Sequence, residues 1–248
     1  MLNSILNRRH FIGRTAIGTG AVIAGTTAIE LLSTTRVWAA AEGTDGDILN
    51  FALTLEYLES TFYEQGNAAN VVTESREKDI LATVQKDEEA HVQALTDTLN
   101  KLGVKPVDKP SVKFPAGTFA SRDSYLKLAM VFENTGVGAY LGQAGSITNK
   151  DILQAAAGIF GVEARHAALI GIITGAAPEG GIYKGATETP IAKDAVLAAV
   201  MPFLGGMPNT GFAPNDSSVN LLPAGLAVGG LAAALVAFRT RGSRGANR

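Results

Sequence analysis

Cysteine is absent from this chain of 248 residues. Its absence excludes disulfides, acylation at a lipoprotein cysteine, iron–sulfur and rubredoxin-type centres, and thiol catalysis. Any metal must therefore be held by oxygen and nitrogen. Charge is also sparse, at 18% of residues, and unevenly placed. Residues 1–41 carry Arg8, Arg9, Arg14 and Arg36 against Glu30, for +3, and residues 239–248 carry Arg239, Arg241, Arg244 and Arg248, for +4. With a whole-chain charge of −2, the stretch between them stands at −9. A domain that acidic attracts cations and repels phosphate backbones, so no nucleic acid is expected as a partner. What the chain has in quantity is apolar side chain, 46% of residues, enough for one sizeable core with additional segments at the ends.

Asn7-Arg8-Arg9-His10-Phe11-Ile12 resembles a twin-arginine export motif. The mildly apolar stretch that follows to Leu32, and the small residues Ala39, Ala40 and Ala41, complete the basic, apolar, small order of a signal peptide over residues 1–41. The competing readings are an uncleaved anchor or a chance Arg-Arg pair. A substrate of the twin-arginine export machinery crosses the membrane folded, so export is compatible with metal loading in the cytoplasm. At the other end, Val219 to Phe238 is twenty residues without a charge. At about 1.5 Å per residue it spans about 30 Å, the thickness of a bilayer core. The arginines of 239–248 then favour a cytoplasmic tail. The expectation is a transmembrane helix, reached through a Gly-, Pro-, Asn- and Asp-rich linker over 206–218. The alternatives are a buried helix, or a processed sorting tail suggested by Leu222-Pro223-Ala224-Gly225, which lacks the usual threonine.

Between these ends, residues 45–205 read as all-α. A first helix is expected from Asp47 to Gln65, stopped by Gly66-Asn67, and a second from about Thr73 to Leu102, ended by Gly103. Pro106, Pro110 and Pro115 mark 103–120 as an extended crossover. A third helix is expected over Ser121–Gly145 and a fourth over Asn149–Thr174, so that short turns make two antiparallel hairpins. Thr189-Pro190 reads as the cap and first position of a short fifth helix to about Leu204.

Two of these helices carry Glu-x-x-His. On the second, positions 81, 84, 88, 91, 95, 99 and 102 read Leu, Val, Glu, His, Leu, Leu, Leu; on the fourth, 152, 156, 159, 163, 166, 170 and 173 read Ile, Ala, Ile, Glu, His, Ile, Ile. Glu88 with His91, and Glu163 with His166, thus interrupt buried stripes at a spacing that lets one ion be gripped by both residues of a pair. Glu56 and Tyr63 on the first helix recur as Glu133 and Tyr140 on the third, so the chain reads as two copies of one hairpin. Glu59 competes with Glu56, since its neighbours are also apolar. Four ionised, unpaired carboxylates in one core would cost several kcal/mol each. Two divalent ions balance them, whereas the stripes offer no Lys or Arg. Tyr63 and Tyr140 either hydrogen-bond these groups or are packed core tyrosines.

A glutamate on each of helices one and three, with Glu-x-x-His on helices two and four, resembles the ferritin-like superfamily of di-iron and di-manganese carboxylate proteins. Leu53-Thr54-Leu55-Glu56-Tyr57-Leu58-Glu59 is similar to its exported, desiccation-related members. The resemblance implies a ferritin-like four-helix bundle with Glu56, Glu88, His91, Glu133, Glu163 and His166 as ligands of two iron or manganese ions. Glu88 and Glu163 would be the bridges. It also implies an oxidoreductase of ferroxidase or peroxidase type, on the outer or periplasmic side of the cytoplasmic membrane, with the membrane, metal ions and a homodimer among its partners. The alternative is a structural desiccation-stress protein whose bundle does no chemistry.

Overall fold

In the computed structural model, residues 43–205 are described. The expected signal peptide, linker, transmembrane helix and basic tail lie outside these residues. Among the described residues the chain forms five α-helices, one 3-10 turn and no strand: α1 Asp45–Ala68, α2 Ser75–Lys101, α3 Arg122–Ala144, α4 Lys150–Ile173, α5 Lys193–Val200 and the turn Met201–Phe203. α1 packs chiefly on α2 and α3 chiefly on α4, and the two hairpins meet through α1 against α3 and α2 against α4.

Each long helix begins on a side-chain cap. Thr44 and Asp47 form a capping box at α1, Glu74 accepts from the Glu77 N–H at α2, Ser121 and Ser124 cap α3 reciprocally, and Asn149 accepts from Asp151 and Ile152 at α4. α2 and α4, the second helices of the two hairpins, also end alike. Gly103 and Gly175 take left-handed φ of 69° and 71°, and the paired bonds Gly103 N–H to Asn100 O with Val104 N–H to Leu99 O, and Gly175 N–H to Ile172 O with Ala176 N–H to Gly171 O, close two Schellman motifs.

Two boundaries differ from the sequence expectation. α1 runs through Gly66 and Asn67 to Ala68, because Gly66 lies flat under the Tyr125 ring and Asn67 holds the Leu81 carbonyl and Gln85 from within the helix. Tertiary contact here overrides the breaking tendency of Gly-Asn. Thr189-Pro190 does not cap α5, which starts at Lys193 after Ala192, without a side-chain cap. The intervening Ile191 is instead bound to α3, donating its N–H to Gly138 O at 2.9 Å.

The crossover 103–120 lies along the bundle. Buried Asn50 of α1 pins it, donating to Lys105 O and accepting from the Val107 N–H at 2.7 Å. Further on, Lys113 N–H donates to Phe203 O and Gly205 N–H to Ser111 O. Phe62, Phe114, Phe132 and Phe203 stack edge-on or tilted at this end and fix the spacing of α1, α3 and the crossover. α4 is the one helix among the described residues long and apolar enough to cross a membrane. Its buried face carries Glu163, His166 and Ile170, which makes it a wall of the bundle.

Candidate metal centre

The four long helices converge their polar residues on one level of the core. α1 brings Glu56, α2 brings Glu88 and His91, α3 brings Glu133, and α4 brings Glu163 and His166. All six are buried, and the four glutamates are 0% exposed. Their burial follows from the stripes that carry them: Leu81, Val84, Leu95 and Leu99 flank the pair on α2, and Ile152, Ala156 and Ile170 the pair on α4.

The six fall into two overlapping clusters, Glu56, Glu88, His91 and Glu163, and Glu88, Glu133, Glu163 and His166, each with one ligand atom per residue within 4.8 Å of the others. Glu88 and Glu163 belong to both. In the first cluster His91 Nδ1 lies 3.3 Å from Glu56 Oε2, 3.3 Å from Glu88 Oε2 and 3.1 Å from Glu163 Oε1. In the second, His166 Nδ1 lies 2.8 Å from Glu88 Oε1 and 3.5 Å from Glu133 Oε2. The two rings stand 6.1 Å apart.

Between members of the two clusters a hydrogen bond forms at His91 Nδ1 and Glu88 Oε2, at 3.3 Å, and other atoms are left over. Glu56 Oε2, Glu88 Oε1, Glu133 Oε2, both oxygens of Glu163 and His166 Nδ1 are fully enclosed without a hydrogen-bond partner. Buried polar atoms are nearly always satisfied, so six orphans facing one another call for a missing partner between them. Carboxylate oxygen and imidazole nitrogen are the donors expected around iron, manganese or zinc. The cluster is compatible with a metal site.

Without metal, the groups hold protons in its place. Burial, followed by the charge of Glu88 and Glu56, pushes Glu163 well above the usual carboxylate range. Burial raises Glu88 to about 7 against the opposing contacts with both histidines. Burial disfavours a charged imidazole, yet the surrounding carboxylates together outweigh it, raising His91 to about 12 and His166 to about 11. Metal binding must displace these protons.

Tyr63 and Tyr140 both hydrogen-bond the cluster, and they cross over. Tyr63 on α1 donates to Glu133 on α3, while Tyr140 on α3 donates to Glu56 on α1, at 2.5 Å in the latter case. Each tyrosine thus serves the glutamate of the opposite repeat. Burial raises both phenols well above their ordinary range, which keeps them donors.

Asp87 escaped the periodicity argument. It lies beside the buried stripe, half-exposed, and its Oδ2 sits 3.1 Å from His166 Nε2. With the Nε2 proton given to Asp87, His166 presents Nδ1 to the cluster. No one-helix pattern could reveal this, because the contact exists only where α2 lies against α4. Glu59, the competitor of Glu56, is buried but outside both clusters. Burial and then the charges of Glu163, Glu88 and Glu56 drive its carboxyl well above the ordinary range.

Two helical hairpins that bury a doubled set of glutamates and histidines at their interface define a bundle of the carboxylate-centre class. Residues 44–176 match the family model described as ferritin-like domain, more than half of the chain, and the protein belongs to that family. No curated protein matches the chain.

Proposed function

We propose that this chain is an exported, membrane-tethered ferritin-like protein whose core holds two iron or manganese ions and that it uses them to oxidise metal or to consume oxygen or peroxide in stress protection. The observation that carries the reading is the pair of overlapping clusters sharing Glu88 and Glu163, with six lone-pair atoms enclosed and unpartnered. On this reading Glu56 and His91 would hold one ion and Glu133 and His166 the other, with Glu88 and Glu163, which belong to both clusters, serving both. Two adjacent ions supply paired redox centres that share the electrons O–O cleavage demands. The protein's own part is to keep four carboxylates and two imidazoles converged, to hold Glu133 and Glu56 through Tyr63 and Tyr140, and to keep water out of the core. Export and tethering rest on the Arg8-Arg9 motif and the uncharged run 219–238. The likeness of Leu53–Glu59 to desiccation-related proteins supports the link to stress.

One observation favours a second reading. His91 and His166 lie 2.8–3.5 Å from the cluster carboxylates, which favours their protonated forms and would offset part of the carboxylate charge, as suits a bundle that stands without metal and serves structurally. Metal content separates the two. Protein purified without chelator is expected to carry two iron or manganese ions per chain, measured by mass spectrometry, and the Glu88→Ala/His91→Ala variant to carry none. Oxygen and peroxide consumption by the loaded protein then tests the chemistry. A folded wild type that is empty and refuses added Fe2+ and Mn2+ leaves the structural reading.

A further inference from the structure

On α1 and α3 the internal repeat is broken beside the centre. The shift that carries Glu56 onto Glu133 and Tyr63 onto Tyr140 carries Glu59 onto Gly136. A carboxylate in one repeat therefore faces a bare backbone in the other. A Cβ at Gly136 would stand 3.0 Å from Glu163 Oε2 and 3.2 Å from Glu59 Oε1, so both oxygens border the same Cα. Glu163 Oε2 is among the enclosed atoms without a partner. Glu59 is 4% exposed, and no hydrogen bond or ion pair to a described residue holds its carboxylate, whose oxygens, unlike those of Glu163, are not fully enclosed. An unpartnered carboxylate at that depth is costly, and helix α1 has kept its polar end turned toward the cluster.

We infer that Glu59 is a seventh side-chain ligand, serving the ion held by Glu56, Glu88, His91 and Glu163 and not the other. This inference rests on the dinuclear reading and deepens it. Glu59 stands one turn beyond Glu56, which belongs to the first cluster alone, and across Gly136 from Glu163, which is common to both. Two divalent ions balance the four cluster carboxylates and leave Glu59 over. The fifth carboxylate therefore makes the first position richer in oxygen than the second. Gly136 is the residue that permits it, because any side chain there would stand between Glu59 and the centre. The two half-sites, alike in their Glu, Glu-x-x-His and Tyr residues, are made unequal on α1 and α3 by this exchange.

Titration of the full-length, metal-free protein with Co2+, followed by calorimetry and by the visible d–d bands, tests the assignment. Wild type is expected to bind two Co2+ in unequal steps. Glu59→Gln, which keeps the side-chain size, is expected to weaken one step by about tenfold or more, in the range seen when groups supporting a metal site are removed, and to leave the other unchanged. The d–d bands of the weakened step should intensify as that ion loses a ligand. Glu59→Asp, which retains the charge but withdraws it by one methylene, should reproduce the effect and covers the case in which Glu59→Gln does not fold. Equal weakening of both steps, the result of merely lowering the negative charge, overturns the assignment, as does a change of less than about tenfold at each. Two Co2+ bound with equal affinity by wild type and variants overturns it while leaving the dinuclear centre in place. A wild type that binds no Co2+ overturns both readings together.

Discussion

At the scale of single residues, the two histidines of the centre are held differently. His166 has Asp87 on its outer nitrogen at 3.1 Å, whereas the position corresponding to Asp87 in the second Glu-x-x-His repeat is Val162. On the proposed dinuclear reading, Asp87→Ala is therefore expected to weaken the ion held by His166 about 10- to 100-fold, read as the weakening of one step in a metal titration. Asp87→Asn should weaken it less, because the amide oxygen still accepts from Nε2. The convergence of Glu88, His91, Glu133, Glu163 and His166 was legible in the sequence, because each interrupts an apolar stripe and the set is doubled, while Glu56 stood out from Glu59 only by its Tyr63 partner. The repeat also pointed to Tyr63 and Tyr140, but not to their exchange of partners. Intrahelical spacing pairs Tyr63 with Glu56, while the packing of α1 on α3 pairs it with Glu133. Asp87 and the position of Glu59 relative to Gly136 are both products of interhelical register, which period alone does not encode.

At the scale of elements, α3 is shaped to receive a loop. Gly138 and Gly142 are one turn apart, and Ile191 lies directly on both. A Cβ at Gly142 would come within 2.1 Å of the Ile191 carbonyl oxygen, a backbone atom that cannot rotate away. Gly142→Ala is expected to lose net stability, since overpacking of about 1–3 kcal/mol outweighs a helix-propensity gain of about 1 kcal/mol. Gly158→Ala on the outer face of α4, with nothing within 4 Å, is the control and should gain up to about 1 kcal/mol. Thermal melts of the two variants give opposite signs. The same contact explains why Thr189-Pro190 misled the reading of α5. The dipeptide has the composition of a helix start, but the chain there is committed to α3 through the Ile191 N–H. The four long helices, by contrast, begin where their Thr44, Glu74, Ser121 and Asn149 caps stand, and such local signals survive packing.

At the scale of the whole molecule, the centre sets the response to pH. Glu88, raised from about 4.5 to about 7, holds a proton in the folded state that the unfolded chain has released. Its contribution to stability is complete below pH about 4.5 and is lost as pH rises through about 7. Glu59 and Glu163 are shifted the same way and prolong the loss. His91 and His166 contribute fully below the ordinary imidazole value near 6.5, and their contribution is lost as pH climbs to about 12 and about 11 respectively. The metal-free protein is therefore expected to melt at lower temperature at about pH 8 than at about pH 5, while bound Mn2+ removes or reverses the trend, because the ion replaces the protons. Melting curves with and without Mn2+ across that range check both signs. A fall with acidification in the metal-free protein would contradict the arrangement of charges around Glu88.

The last described residues also have a mechanical consequence. Gly205 leaves the bundle hydrogen-bonded to Ser111, with Lys113 bonded to Phe203 just behind it, and the Phe203 ring is wedged against Phe114 and Phe132. Tension applied to the chain beyond residue 205 would meet this clasp on the crossover first. Its two backbone bonds would be loaded before α2 or α4, so a pull from that side would open the clasp and spare the helices that carry both Glu-x-x-His pairs.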